Sequence, residues 1–358
     1  MKITLPRWYD LHVHVRQGAN MAAYIKDHLV MGCAGILAMP NTKPPVSKVF
    51  ASDPLPYWSI EEYHGMIRAA GGDAFGAVIV PLYLTRDTTA DMIVQGAESG
   101  LLKACKYYPP HGTTNSDHGR PLDTFFRNGV FKAMEENGVT ICLHGEQHAL
   151  SGEAYFGKNG NAEDVFYREH MPRLREAYPN LKIVCEHITT KTAADFVRKS
   201  GDKTGATITP QHLLYTVADL LQGMKYHLYC LPLVKFDEDR AALREAVNDP
   251  DNTQFFAGTD SAPHTAKATP CGCAAGCYTG GIAPQLYAQA FDLDKGQREF
   301  ESFLCRNGAN FYGLPVPEET FTLIREETPV HAMRGEDGDV LPLPLGMGHE
   351  TLPWKIVL

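Results

Sequence analysis

The stretch WYDLHVHV, residues 8–15, sets two histidines between apolar neighbours. Its period of two is that of a β-strand and sends His12 and His14 to one side, where two neutral imidazoles can chelate a cation. An exposed polar strand face would carry the same pair, so the reading depends on what the rest of the chain sets beside it. Seven further short apolar or β-branched runs follow at 33–40, 74–84, 100–108, 138–146, 181–189, 205–214 and 253–262, with helix-like segments between them. Such alternation builds a parallel sheet covered by helices. Repeated around a circle, it predicts a closed α/β barrel whose active site gathers at the C-terminal ends of the strands. Residues 121–138 read as one helix, with Phe125, Val130, Phe131 and Met134 on one face and a stop at Gly138, and 237–250 read likewise. The stretch 263–285 is loop-like, and the tail beyond Pro315 is Pro-rich with short extended pieces.

The barrel rule can be tested on where the polar residues fall. His144 closes the run VTICLHGE, His187 closes IVCEHIT and Asp260 closes FFAGTDSAPH, so three more metal-ligating side chains stand at strand ends. One polar residue ending a strand is usually a turn or cap; five from four strands, converging on one face, point to a metal site. Lys106, at the end of LLKACKYYPP, is the anomaly. As an ammonium it would repel a cation, and it reads either as a snorkelling lysine or as an amine carbamylated by carbon dioxide, which would turn it into an anionic two-oxygen ligand.

The chain has 358 residues, enough to bury a large core, and a formal charge of −9 that offers no general basic field for nucleic acid or an anionic membrane. No apolar run of about 18 residues and no signal-like start occur, so neither secretion nor membrane insertion is expected. The nine cysteines are odd in number, and Cys33, Cys105, Cys142 and Cys185 lie in strand-like runs as small hydrophobes. A reduced cytoplasmic setting is expected.

The HxH pair, the lysine after the fourth strand, the histidines after the fifth and sixth and the aspartate after the eighth resemble the metal-dependent amidohydrolase superfamily. The strings DLHVHVR, MPNT, CKYYPPHGTTNSDHG, LHGE, EHITTK, TPQHLL, HLYCLPLVK, GTDSAPH and CGCAAGC, in this order, resemble the dihydroorotase family of the bacterial, class II type, over about residues 8–315. That resemblance implies a (β/α)₈ TIM barrel without an N-terminal β-sandwich, as one domain over 1–358 with its core at about 8–315 and an extension at about 316–358. It implies two Zn²⁺ per subunit bridged by carboxylated Lys106 and a hydroxide, the first held by His12, His14, Lys106 and Asp260 and the second by Lys106, His144 and His187. Asp260 would be the general acid and base. The implied reaction is reversible cyclisation of N-carbamoyl-L-aspartate to (S)-dihydroorotate, a step of pyrimidine synthesis. The expected partner is this small molecule, with no nucleic acid or membrane, in a homodimer.

The resemblance also implies a carboxylate clamp of Arg16, Asn41 and His264, a lid with Thr113 and Thr114 in HGTTN, and backbone contacts from Leu231, Ala262 and Ala274, with Ala275 the alternative to Ala274. His111 and Gly112 depart from the family's pattern. The cysteines 271, 273 and 277 form C-x-C-x₃-C, three thiols without a second pair, and read as loop-shaping rather than a zinc site. His212 reads as structural. Two competing readings are another cyclic amidohydrolase, such as a hydantoinase or allantoinase, and a catalytically dead barrel acting as a scaffold.

Overall fold

The computed structural model describes residues 1–270 and 272–358, so Cys271 of the cysteine cluster lies outside the described residues. The barrel strands are Trp8–Val13, Cys33–Ala38, Ala77–Ile79 continued by Leu82–Tyr83, Ala104–Tyr107, Thr140–His144, Ile183–Glu186, Thr204–Ile208 and Phe255–Ala257. Every neighbouring pair is parallel. The third strand is broken at Pro81, which has no N–H to give to a ladder. Its first half pairs with the second strand and its second half with the fourth. The ring closes where Asp260 N–H donates to His12 O at 2.8 Å and His14 N–H donates to Ser261 O at 3.0 Å. All eight expected strands are present, and they close into the expected barrel.

Strand alternation produces two apolar layers. Tyr9, Leu11, Leu37, Ala104, Cys142, Val184 and Phe256 fill the barrel's interior with Phe311, whereas Trp8, Val13, Cys105, Ile141, Ile183 and Ala257 pack under the helices. A strict period of two would put His12 on the face opposite Leu11. A register shift between Asp10 and Val13 re-aims the strand, so that Leu11 and then His12 and His14 face the interior while Val13 faces out. The period read from the sequence therefore placed the histidines together, but an irregularity sets which way they face.

Three other segments depart from the sequence reading. The single helix expected over 121–138 is two, Asp123–Arg127 and Val130–Glu136. Gly129 between them takes φ +77°, a left-handed turn that an unbroken helix cannot contain. The seventh run is strand only to Ile208, because Thr209 caps a short helix, Pro210–Leu214, accepting from His212 N–H with proline at the first position. Within 263–285 there are a two-residue hairpin, Ala268–Thr269 with Gly272–Cys273, and a helix at Ala283–Tyr287. Residues Lys2–Pro6 form a strand pairing antiparallel with Thr320–Ile324, which pairs with Lys355–Val357. The C-terminal extension thus meets the chain's start in one small sheet. Cys33, Cys105, Cys142 and Cys185 are free and buried. Among the described residues no helix is long and apolar enough to cross a membrane.

Candidate active site

Six of the predicted residues converge at the C-terminal end of the strands: His12, His14, Lys106, His144, His187 and Asp260 are all buried. The ring centroids of His12 and His14 lie 5.6 Å apart, His12 and His187 4.9 Å, and His144 and His187 4.7 Å. One oxygen, Asp260 Oδ1, is 2.9 Å from His14 Nε2 and 3.4 Å from His12 Nε2. The ligand atoms of His12, His14 and Asp260 all lie within 4.8 Å of one another, a group able to hold a metal ion. Asp260 stands three residues past the last strand residue, Ala257, and the turn between is tight. A Cβ on Gly258 would come within 2.6 Å of Thr207 Cγ2 and 3.0 Å of His12 Cβ.

Charge in this cluster follows from burial and neighbours. Burial resists ionisation of Asp260, but hydrogen bonds and attraction from His12 and His14 outweigh it and hold the carboxyl well below its ordinary range. Burial lowers His14 to about 4 and His187 well below its ordinary value. For His12 burial is outweighed by Glu186, and the net shift is upward. Lys106 is shifted down by burial. Its Nζ is fully buried and has no hydrogen-bond partner among the described residues, and it stands over the Tyr108 ring, with the centroid 5.0 Å away. A cation on an aromatic face gains about 0.5–2 kcal/mol, less than it costs to bury an unpaired ammonium. His187 Nδ1 is likewise buried and unpartnered. Unpartnered buried nitrogens on Lys106 and His187, with two imidazoles aimed at one carboxylate oxygen, make a donor set suited to a cation, so the residues present fit the metal that the sequence implies.

Two carboxylates missed by the sequence reading orient this set. Glu186 Oε2 accepts from His12 Nδ1 and from Thr207 Oγ1, both at 2.6 Å, and Thr207 Oγ1 in turn accepts from His187 N–H at 2.7 Å. Glu146 Oε2 lies 2.8 Å from His144 Nε2. With those nitrogens as donors, His12 Nε2 and His144 Nδ1 keep their lone pairs for a ligand. The signal was in the quoted strings, LHGE and CEHI, each carrying a glutamate within two residues of a histidine.

A cleft of about 20 Å³ opens beside His14 and Asp260, lined also by Arg16, Asn41, Thr113, Thr114, Leu231, Ala262, Ala275 and Gly276. Among the described residues Arg16 has no acidic partner; its Nη2 lies 3.4 Å from His264 Nε2, which donates to Ala275 O at 2.8 Å. Burial and the Arg16 charge push His264 down to about 3 and keep it neutral. The 111–115 loop is shut over the cleft: Asn41 Nδ2 donates to Thr114 O and Asn115 Nδ2 to Asn41 O, both at 2.9 Å. Of the two alanines, Ala275 stands on the cleft wall and Ala274 does not. Ala274 is turned away, its N–H donating to Lys267 O and its O accepting from Lys267 Nζ. His264 borders the cleft through Arg16 without lining it. Arg16, His187 and Asp260 hold positive φ, at 57°, 40° and 48°, where side chains other than glycine are strained.

His212 stays outside the cluster, its nitrogens engaged by Thr209 Oγ1 at 2.8 Å and Pro232 O at 3.0 Å. The thiols of Cys273 and Cys277 donate to the carbonyls of Tyr226 and His227. Among the described residues no cysteine joins a metal-ligating group.

No family model matches the chain. Curated relatives do: the dihydroorotase of Pseudomonas aeruginosa (strain UCBPP-PA14) is 40% identical, covering 99% of this chain and 98% of the relative. That of Halorhodospira halophila is 39% identical over the same shares. Among solved structures, dihydroorotase of Saccharomyces cerevisiae in complex with 5-fluoroorotic acid has a TM-score of 0.86 at 26% identity, covering 99% of this chain and 98% of that one. An L-hydantoinase of Arthrobacter aurescens, with a TM-score of 0.70 at 15% identity over 99% of this chain and 84% of its own, shares the fold.

Proposed function

The chain belongs to the dihydroorotase family, and from that premise we propose how its own residues carry the reversible cyclisation of N-carbamoyl-L-aspartate to (S)-dihydroorotate. The enzyme is a hydrolase of a cyclic amide bond and depends on a metal. In our reading His12, His14 and Asp260 would hold one zinc, His144 and His187 would hold a second, and Lys106, once carboxylated by carbon dioxide, would be a ligand to both. When bound, this pair supplies an activated water and Lewis-acid polarisation of the carbonyl.

The rest is done by side chains. Asp260 accepts the proton of the attacking water and delivers it to the ring nitrogen as the ring's carbon–nitrogen bond breaks; in closure it takes the proton from the ureido nitrogen. Arg16, free of any acidic partner among the described residues, presents its planar fork to the substrate carboxylate, with Asn41 and neutral His264 beside it. A hydantoin or allantoin lacks that carboxylate and would leave the guanidinium unpaired in the cleft. Thr113 and Thr114 close over the ring and exclude water, and backbone groups of Leu231, Ala262 and Ala275 line the remaining wall. We take residues 1–358 as one domain with its core at 8–315, working in the cytoplasm as a homodimer.

The observation that carries the reading is the buried, partnerless Lys106 Nζ among four imidazoles and a carboxylate, where a cationic amine has no place and an anionic bridging group does. The test is turnover of both substrates with metal analysis, on the wild type and on Lys106→Ala. The expected result is two zinc ions per wild-type chain and loss of at least one, with nearly all turnover, in the variant. Full activity and full metal content in Lys106→Ala would refute the bridging role.

A further inference from the structure

The largest cavity described lies at the opposite end of the barrel, about 690 Å³. Lys103, Thr140 and Lys182, which stand at the N-terminal starts of the fourth, fifth and sixth strands, form part of its wall, and the helix Ile60–Ala69 forms another part. Its surface is mixed. Ile79, Leu101, Tyr312 and Leu314 give an apolar and aromatic lining, and His64, Arg68, Lys103 and Lys182 ring it with nitrogen.

Charge here runs against the whole molecule, whose formal net charge is −9. One acid, Glu61, is on the wall, and its carboxylate already accepts from Ala51 N–H at 2.7 Å. Lys103 has no ion pair among the described residues, and Lys182 Nζ donates only to a carbonyl, Phe311 O, at 2.8 Å. Arg68 meets Asp73 at 3.5 Å, but both side chains are exposed, so the pair is weak and easily exchanged. Three cationic side chains beside apolar ones, in a volume within the range of about 300–1,000 Å³ that small-molecule sites occupy, match a ligand with an anionic head and a flat apolar body. We propose that this cavity binds a small organic anion of that kind, of about nucleotide size, with Arg68, Lys103 and Lys182 on the charge and Leu101, Tyr312 and Leu314 against the ring system.

The fully metallated enzyme can be titrated with anilinonaphthalene sulfonate, followed by its fluorescence, beside the uncharged N-phenylnaphthylamine, which keeps the aromatic body and drops the charge. We expect one saturable site per chain for the sulfonate, at least about tenfold weaker binding for the neutral amine, and a similar loss for the sulfonate in the Arg68→Ala, Lys103→Ala double variant. Gly65→Phe blocks the mouth independently of charge: Gly65 is on the wall, and a Cβ there meets nothing within 4 Å. Both probes should then be excluded, with melting temperature held or raised, since glycine is the poorer helix former. Equal affinity for the two probes, or sulfonate binding untouched by Gly65→Phe, overturns the assignment. So does a dimer that Gly65→Phe dissociates in sedimentation, since the face would then be a contact between copies. All of these readouts stand apart from turnover, so failure here leaves the catalytic reading intact.

Discussion

At the C-terminal end of the strands, histidine rings stand 4.7–5.6 Å apart around one carboxylate, and the cleft beside them has room for about 20 Å³. At the N-terminal end the same strands open on about 690 Å³, where Lys103 and Lys182 have no acidic partner among the described residues and Arg68 meets only the exposed Asp73. The first end is crowded with groups that hold one another in place: Glu186 fixes His12, Thr207 fixes Glu186 and His187, and Glu146 fixes His144. The second consists of side chains that touch little. Within one barrel, then, chemistry is paired with mutual constraint, and spare volume sits where little depends on any one residue.

The largest effect should come from breaking the crowded end at its centre. Asp260→Asn keeps the shape and removes the proton carrier, and turnover should fall by at least about 1,000-fold with the circular dichroism spectrum unchanged; near-normal turnover would remove Asp260 from that role. One step out, Glu186→Gln leaves every proposed ligand in place. It should weaken metal affinity about 10–100-fold, measured by chelator competition, because His12 exchanges an anionic acceptor at Nδ1 for a neutral one and becomes a less basic ligand. Unchanged affinity would mean that the crowding is only packing.

Acid should act on the same end. His264 is held at about 3 against an ordinary 6.5, so the unfolded chain binds a proton through that window that the folded chain refuses. Proton uptake on unfolding makes stability rise with pH, so the melting temperature should fall as pH drops from 6.5 toward 3. His264→Gln should flatten part of that slope; an identical slope would show that His264 is not the titrating group. The smallest effects belong to the open end. Arg68→Ala and Lys103→Ala should each stay within about 0.5 kcal/mol in stability and about twofold in turnover. A large change in either would erase the contrast.

Much of the crowded end was legible because a strand is a ruler. Apolar runs that end in His144, His187 and Asp260 place those residues at strand ends, and a barrel brings strand ends together. What was not legible was set by contacts that no local pattern encodes. The shift between Asp10 and Val13 answers to the neighbouring strand, Gly129 splits a helix that its apolar spacing would have continued, and Ala275 rather than Ala274 is presented because Lys267 engages Ala274 through main chain and side chain. The cavity at the open end draws His64, Lys103, Lys182 and Tyr312 from four distant parts of the chain and leaves no motif.

Left-handed backbone at Arg16, His187 and Asp260 carries a lesson for anyone hardening this protein. Each position stores strain that glycine would release, so a library sorted only by survival of heating would drift toward glycine there and return sturdy, silent barrels. Sequencing such survivors would show whether endurance and chemistry compete at those three positions.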